Sequence, residues 1–295
     1  MRFIHTLIRQ LDSFQQRHRF TAFSYAVIKK YGEDGAGQQA ALLTYYSFLS
    51  LFPLLLVLIT VANGILGNHP HLEATVIKGL TNYFPLLGNQ LSAHVHGLRR
   101  NGLALVAGVL FTLYGSRGVA DAFRRGVRQI WGVPKQLSDG FVPALVKSLA
   151  LIIIGGLGFI VASLSAGWMS AAGHDLAFRG LSIIVDLFIL FWLFTFLLSV
   201  SLPKHVSLKE TRLGAILAAV GLVILQALGG YILARELRSL DALYSYFALA
   251  LGLLFWIYLQ AQILYYAVVI AAVHSQKLWP RSLTDVSSPP NSRSA

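Results

Sequence analysis

The sequence predicts an all-α polytopic membrane protein with six transmembrane helices and amphipathic interfacial helices beside them, and three observations carry that reading. Of 295 residues, 56% are hydrophobic and only 12% charged, with a mean hydropathy of +0.64, more apolar surface than one water-soluble core can hide. The stretch from Ala40 to Leu66, AALLTYYSFLSLFPLLLVLITVANGIL, carries no charge and exceeds the ~20 apolar residues that cover about 30 Å of hydrocarbon. The basic residues are also segregated. Segments 1–36, 115–147, 203–212 and 274–295 hold 18 of the 24 Lys and Arg, which by the positive-inside rule places both termini in the cytoplasm.

Residues 1–36 precede any span. In MRFIHTLIRQL, Ile4, Leu7, Ile8 and Leu11 recur at helical spacing, with Arg2, Arg9 and Gln10 elsewhere on the wheel, the pattern of an interfacial helix. A second segment with Phe20, Phe23, Val27 and Tyr31 on one side could lie on the same leaflet before GEDGAG turns the chain into the first span. No apolar core of a signal peptide occurs before Ala40, so none is expected to be cleaved.

The membrane domain, 37–273, contains spans at about 40–66, 101–117, 142–172, 181–202, 212–234 and 244–273. In the first, Pro53 removes a backbone donor and is expected to break or kink the helix. Tyr45 and Asn63 place polar groups around it, suited to a polar cavity rather than to lipid. Residues 67–100 form an extracytoplasmic cap with two His-x-His pairs, His69/His71 and His94/His96. In a loop-and-helix context, side chains at i and i+2 diverge, so no metal site is expected.

The second span runs on into SRGVADAFRRGVRQIWGVP. Here Val119, Ala122, Phe123, Gly126, Val127, Ile130 and Trp131 form one side of a helix, and Arg117, Asp121, Arg124 and Arg128 the other. Arg117, Arg124 and Arg128 are candidates for an anionic headgroup surface or a cytoplasmic gate, and Val133-Pro134 ends the helix. The third span begins near Lys147 and carries a small-residue ridge, GGLGFIVASLSAG, that admits close helix approach. Asp186 lies within the fourth span, where an ionisable group is costly unless paired or wetted. Arg235 or Arg238, at the outer end of the fifth span, is its expected partner. Gln226 in the fifth span and Lys147 complete the candidate cavity residues. The tail, 274–295, ends in SSPPNSRSA and is expected to be disordered.

Three stretches, AALLTYYSFLSLFPLLL, SRGVADAFRRGVRQIWGVP and LFWIYLQAQIL, together with the spacing of six helices, resemble the YihY/BrkB family of bacterial inner-membrane proteins, once misnamed ribonuclease BN. The resemblance implies a six-span helical fold with cytoplasmic termini, in a family for which transport has been suggested. Members usually end the last span with Gly-Ala-Glu, whereas Ala267, Val268 and Val269 stand there in this chain.

The function this points to is a transporter or lipid-handling protein of the bacterial inner membrane, moving a lipid or a small charged solute through a polar cavity lined by the proline-broken span. The alternative is a non-catalytic scaffold that organises the envelope. Membrane lipids, anionic ones included, are the expected partners, and the small-residue ridges would also suit a homo-oligomer. The +12 net charge is accounted for by one membrane side, so nucleic acid is not a partner. With no cysteine and no readable cluster of carboxylates and histidines, no enzyme, nuclease included, and no metal or other cofactor is expected.

Overall fold

The computed structural model describes residues 19–65, 102–134, 143, 146–155, 157, 158, 161, 176–203, 206–236 and 242–281, with only the backbone over 52–65, 176–179, 182, 230–236, 242–249 and parts of 102–113. The first interfacial helix, the cap with its four histidines, the far part of the third span, Arg238 and the tail from 282 lie outside the described residues, as do the side chains of Pro53, Asn63 and Arg235.

Every described element is helical: α1 (Arg19–Glu33), α2 (Ala36–Ile65), α3 (Gly102–Ile130), α4 (Val146–Gly155), α5 (Leu176–Ser201), α6 (Leu208–Glu236) and α7 (Ala242–Ser275). Three of them contain segments long and apolar enough to cross a membrane, Ile183–Ser201, Leu208–Gly229 and Ala250–Ser275. α2 has 30 residues, about 45 Å at 1.5 Å per residue. It continues as helix through Pro53, so the break expected there reduces to the hydrogen bond that proline cannot donate, a loss helices in a bundle tolerate.

Turn chemistry sets where the helices stop. Gly35 at φ +61° takes the left-handed conformation that lets α1 fold back into α2. At the end of α3, Val133 N–H donates to Arg128 O (3.0 Å) and Gly132 N–H to Gln129 O (3.0 Å), a Schellman closure with Gly132 at φ +66° as its left-handed residue. α6 opens with a capping box, in which Ser207 N–H donates to Glu210 Oε2 at 3.1 Å, as expected of Ser-x-x-Glu before an apolar run.

α7 is the central helix and packs on α1, α2, α3 and α6. Tyr265, Val268, Val269, Ala272 and Val273 along it are buried. Ala267, Val268 and Val269 are all within that buried core. α2 and α3 form the most extensive pair, made possible by glycine: a Cβ on Gly115 would come within 2.6 Å of Ser50 Cβ, and one on Gly118 would strike the Tyr46 ring. The ridge of the third span works the same way, with Gly155 and Gly158 against Leu197 and Leu193 of α5. Glycines mark the closest helix contacts, and the outer faces of α5 and α6 carry large apolar side chains. Ile184, Phe188, Trp192 and Phe196 on α5, and Ile216, Val220, Ile224 and Leu228 on α6, are exposed stripes at four-residue spacing, a pattern suited to hydrocarbon rather than water.

Candidate functional site

Two polar constellations interrupt this apolar bundle. The first lies across α5, α6 and α7. On α6, Gly221 abuts Ile263 of α7, and Gly229 abuts the Trp256 indole, so Gln226 shares a level with Tyr258, and Gln262 stands about one turn further along α7. A Cβ on Gly214 would stand 3.6 Å from Leu198 Cδ1 of α5. Asp186 precedes Leu198 and Gln226 follows Gly214 by the same number of residues, which brings the two to one level of the antiparallel pair. Asp186 is 8% exposed and Gln226 is half-buried. Gln262 Nε2 donates to Tyr258 Oη, and Tyr31 Oη of α1 donates to Gln262 Oε1, continuing the polar run from α7 into α1.

The second constellation closes the end of the bundle where the α1–α2 turn meets the C-termini of α3 and α7. Lys30 Nζ pairs with Asp34 Oδ2 at 2.8 Å, their side chains 7% and 21% exposed. Burial pushes the Asp34 carboxyl above the usual carboxylate range, with the hydrogen bond and charge of Lys30 pulling back. Gln129 Nε2 donates to Asp34 O at 2.6 Å, and Gln39 Nε2 donates to Gln129 Oε1 at 2.9 Å. Beyond α7, Arg281 Nη1 meets Glu33 Oε2 at 2.5 Å. Tyr31 stacks on Tyr266 at 4.0 Å, and its hydroxyl is pushed up to about 12, chiefly by burial. Rather than resting free on one leaflet, α1 is packed along α7: Phe23 meets His274 and Trp279, and Tyr31 meets Tyr266.

The remaining candidates fall in several places. Tyr45 is 59% exposed on the outside of the α2–α3 pair, whereas Tyr46, one position on, occupies the seam against Gly118. Adjacent residues point about 100° apart on a helix, and only one of them can fill the gap the glycines leave. Asp121 gathers the arginines of α3: Arg124 Nη2 at 3.6 Å and Arg117 Nε at 3.8 Å. The Arg124 side chain is 11% exposed and that of Arg117 49%, so the two are not equivalent as a surface, and Arg128 is intermediate. Ser148 of α4 donates to Asp121 Oδ1 at 2.6 Å, placing Lys147 at the same junction.

Sequence periodicity passed over Tyr31, Asp34, Gln39, Gln129, Tyr258 and Gln262 as site residues. The available signals were the amides Gln260 and Gln262 inside an apolar run and the charged turn GEDGAG. Among the described residues no group of three His, Asp or Glu could hold a metal ion. A further cavity of ≈ 280 Å³ opens between Trp131–Pro134, Val206, Glu210, Ser275 and Gln276.

An all-helical bundle whose long apolar helices expose stripes of large apolar side chains is an integral membrane protein. The chain belongs to the BrkB family, whose model, described as Virulence factor BrkB, matches residues 27–289. It is 25% identical to the inner membrane protein YhjD of Escherichia coli (strain K12), over 90% of this chain and 85% of that protein. It is 26% identical to UPF0761 membrane proteins of Psychrobacter sp. (strain PRwf-1) and Alcanivorax borkumensis, over 90% and 81% of this chain. The match spans only 50% and 57% of those two relatives. No solved structure matches the chain.

Proposed function

We propose that this BrkB-family protein is a six-span transporter or lipid-handling protein of the bacterial inner membrane, with both termini cytoplasmic. It moves a small charged solute or a lipid headgroup past the level shared by Asp186, Gln226 and Tyr258. The observation that supports this reading is that level itself: a buried carboxylate, an amide and a phenol at one height, with the amide of Gln262 one turn away bonded to the phenol. Polar groups so placed are expensive in a membrane protein and mark a path or a binding site more readily than a packing need. In this reading Asp186 attracts the cationic part of the cargo. Gln226 and Tyr258 supply hydrogen bonds along the way.

The test is flux in proteoliposomes of the purified chain, following charged fluorescent solutes and headgroup-labelled lipids. The wild type should move one of these above protein-free vesicles, and Asp186→Asn should lose most of that flux while inserting normally. No flux of any probe, or unchanged flux in Asp186→Asn, sinks the proposal. The first result would favour a scaffold.

A further inference from the structure

We infer that the outward side of α1 is an interaction surface for the bilayer itself, with Phe20 and Ile28 embedded in the acyl chains of the leaflet at the Ser275 end of α7. This stands independently of what the α5–α7 layer carries. Packing against the bundle hides one side of α1, where Ala22, Ala26, Val27 and Lys30 are buried. Two large apolar side chains are left outside it, Phe20 at 83% exposure and Ile28 at 66%. Exposure alone would not name their partner, because single apolar residues are common on wetted surfaces. Depth names it.

Tyr31 marks the depth. Its ring stacks on Tyr266 at 4.0 Å and its hydroxyl donates to Gln262 Oε1, and those two residues lie about 2.5 and 3.6 turns inside the end of the apolar segment Ala250–Ser275. The side of α1 that carries Tyr31 is therefore the side directed toward the membrane interior. At about 100° per residue, Phe20 falls within ~20° of Tyr31 on the helix and Ile28 within ~60°, whereas Lys29 and Glu33 each fall ~160° away. Glu33 on that far side pairs with Arg281, past the end of the apolar segment. So α1 lies at the membrane boundary with an aromatic and aliphatic edge turned inward and a charged edge turned outward, the posture of an interfacial helix. The apolar surface also continues beyond α1. Phe255 and Tyr266 are exposed on one side of α7, within the segment that crosses the membrane, and Tyr266 is the residue on which Tyr31 stacks. One lipid-facing surface thus runs from the span onto α1, with tyrosines at the level where aromatic side chains gather in membrane proteins.

The chain contains no cysteine, so a single nitroxide can be placed at one position at a time. The experiment uses the full chain in liposomes of phosphatidylethanolamine and phosphatidylglycerol. Labelled Phe20→Cys and Ile28→Cys are read for collision with oxygen, which concentrates in hydrocarbon, and with a water-soluble nickel chelate. Ile184→Cys, on the exposed apolar stripe of α5, and Lys209→Cys, at an exposed position near the start of α6, calibrate lipid and water. The ratio of oxygen to nickel accessibility at Phe20 and Ile28 should stand several-fold above the Lys209 value and close to the Ile184 value. Lys29→Cys, next to Ile28 but on the far side of the helix, should fall several-fold below it. Should a labelled variant fail to insert, Ser24→Cys, about 20° from Tyr31, takes its place with the same expectation. Labels at Phe20 and Ile28 as open to nickel as Lys209 would mean a wetted face. Low accessibility to both reagents would mean that protein covers it, a second copy or residues 1–18. Either result, or equal ratios at Ile28 and Lys29, overturns the assignment.

Discussion

Removing the lysine of the Lys30–Asp34 pair should cost the protein stability that removing both partners restores. At 2.8 Å, with an effective dielectric of ~20, the gross attraction is about 6 kcal/mol. Taking the ammonium of Lys30 out of water consumes most of this, and Asp34 keeps a fifth of its side-chain surface in solvent, so screening trims the remainder. The cost of Lys30→Met alone is therefore set near ~1–3 kcal/mol, below the ~3–5 kcal/mol of a fully buried pair. The double variant should recover most of it. The pH dependence has a definite sign. The carboxyl of Asp34 is raised in the fold, so its contribution to stability is fully present below the unfolded carboxyl value and is lost as pH rises through the folded one. Lys30→Met removes the main compensation for the carboxylate, so its deficit against wild type should be largest near neutral pH and shrink on acidification. Asp34→Asn should lack that shrinkage. Denaturation by SDS in mixed micelles, followed by tryptophan fluorescence at several pH values, measures all three variants. A Lys30→Met deficit that grows as pH falls, or a double variant no better than the worse single, refutes the reasoning.

Two further outcomes follow from the packing and the hydrogen bonds. Gly115→Val places branches where even a Cβ would sit 2.6 Å from Ser50 Cβ and 3.0 Å from its Cα. The backbone cannot yield as a flexible side chain would, so a loss of ~2–3 kcal/mol is expected in the same assay. Gly132→Ala, with open space around it, should cost only the ~1 kcal/mol of a left-handed non-glycine residue. In the second case, the tyrosinate absorbance that Tyr31→Phe removes from the wild-type titration should centre near pH 12. A component near pH 10 would show that Tyr31 is not buried as described.

The amphipathic half of α3 was legible in the sequence because its burial follows one period: Ala122, Phe123, Val127 and Ile130 are all buried, as the spacing requires. The end of that helix was legible too, since Gly-Val-Pro admits little else. What periodicity could not supply was partnership between distant segments. Tyr31 and Gln262 stand 231 residues apart, and Gln39 and Gln129 stand 90 apart. No local pattern links them, and a glutamine on a half-apolar face reads as solvent-facing until its neighbour is known. The choice between Tyr45 and Tyr46 failed for a related reason: it depends on Gly118 of another helix. Asp186 and Gln226 could each be singled out as polar residues in apolar runs, but their common level appears only once the glycine contacts fix how α5, α6 and α7 are registered.

The contacts of α1 with α7 carry a consequence for biosynthesis. Phe23, Tyr31 and Glu33 find their partners in Tyr266, Gln262, His274, Trp279 and Arg281, which leave the ribosome after every other described helix. Until then, the α7-facing side of α1 and the phenol of Tyr31 lack these partners. An arrest that halts translation before Gln262 should therefore leave α1 open to proteolysis even with α2 to α6 already inserted. Release of the full chain should close that window in a single step, so the first described helix is among the last to reach its place.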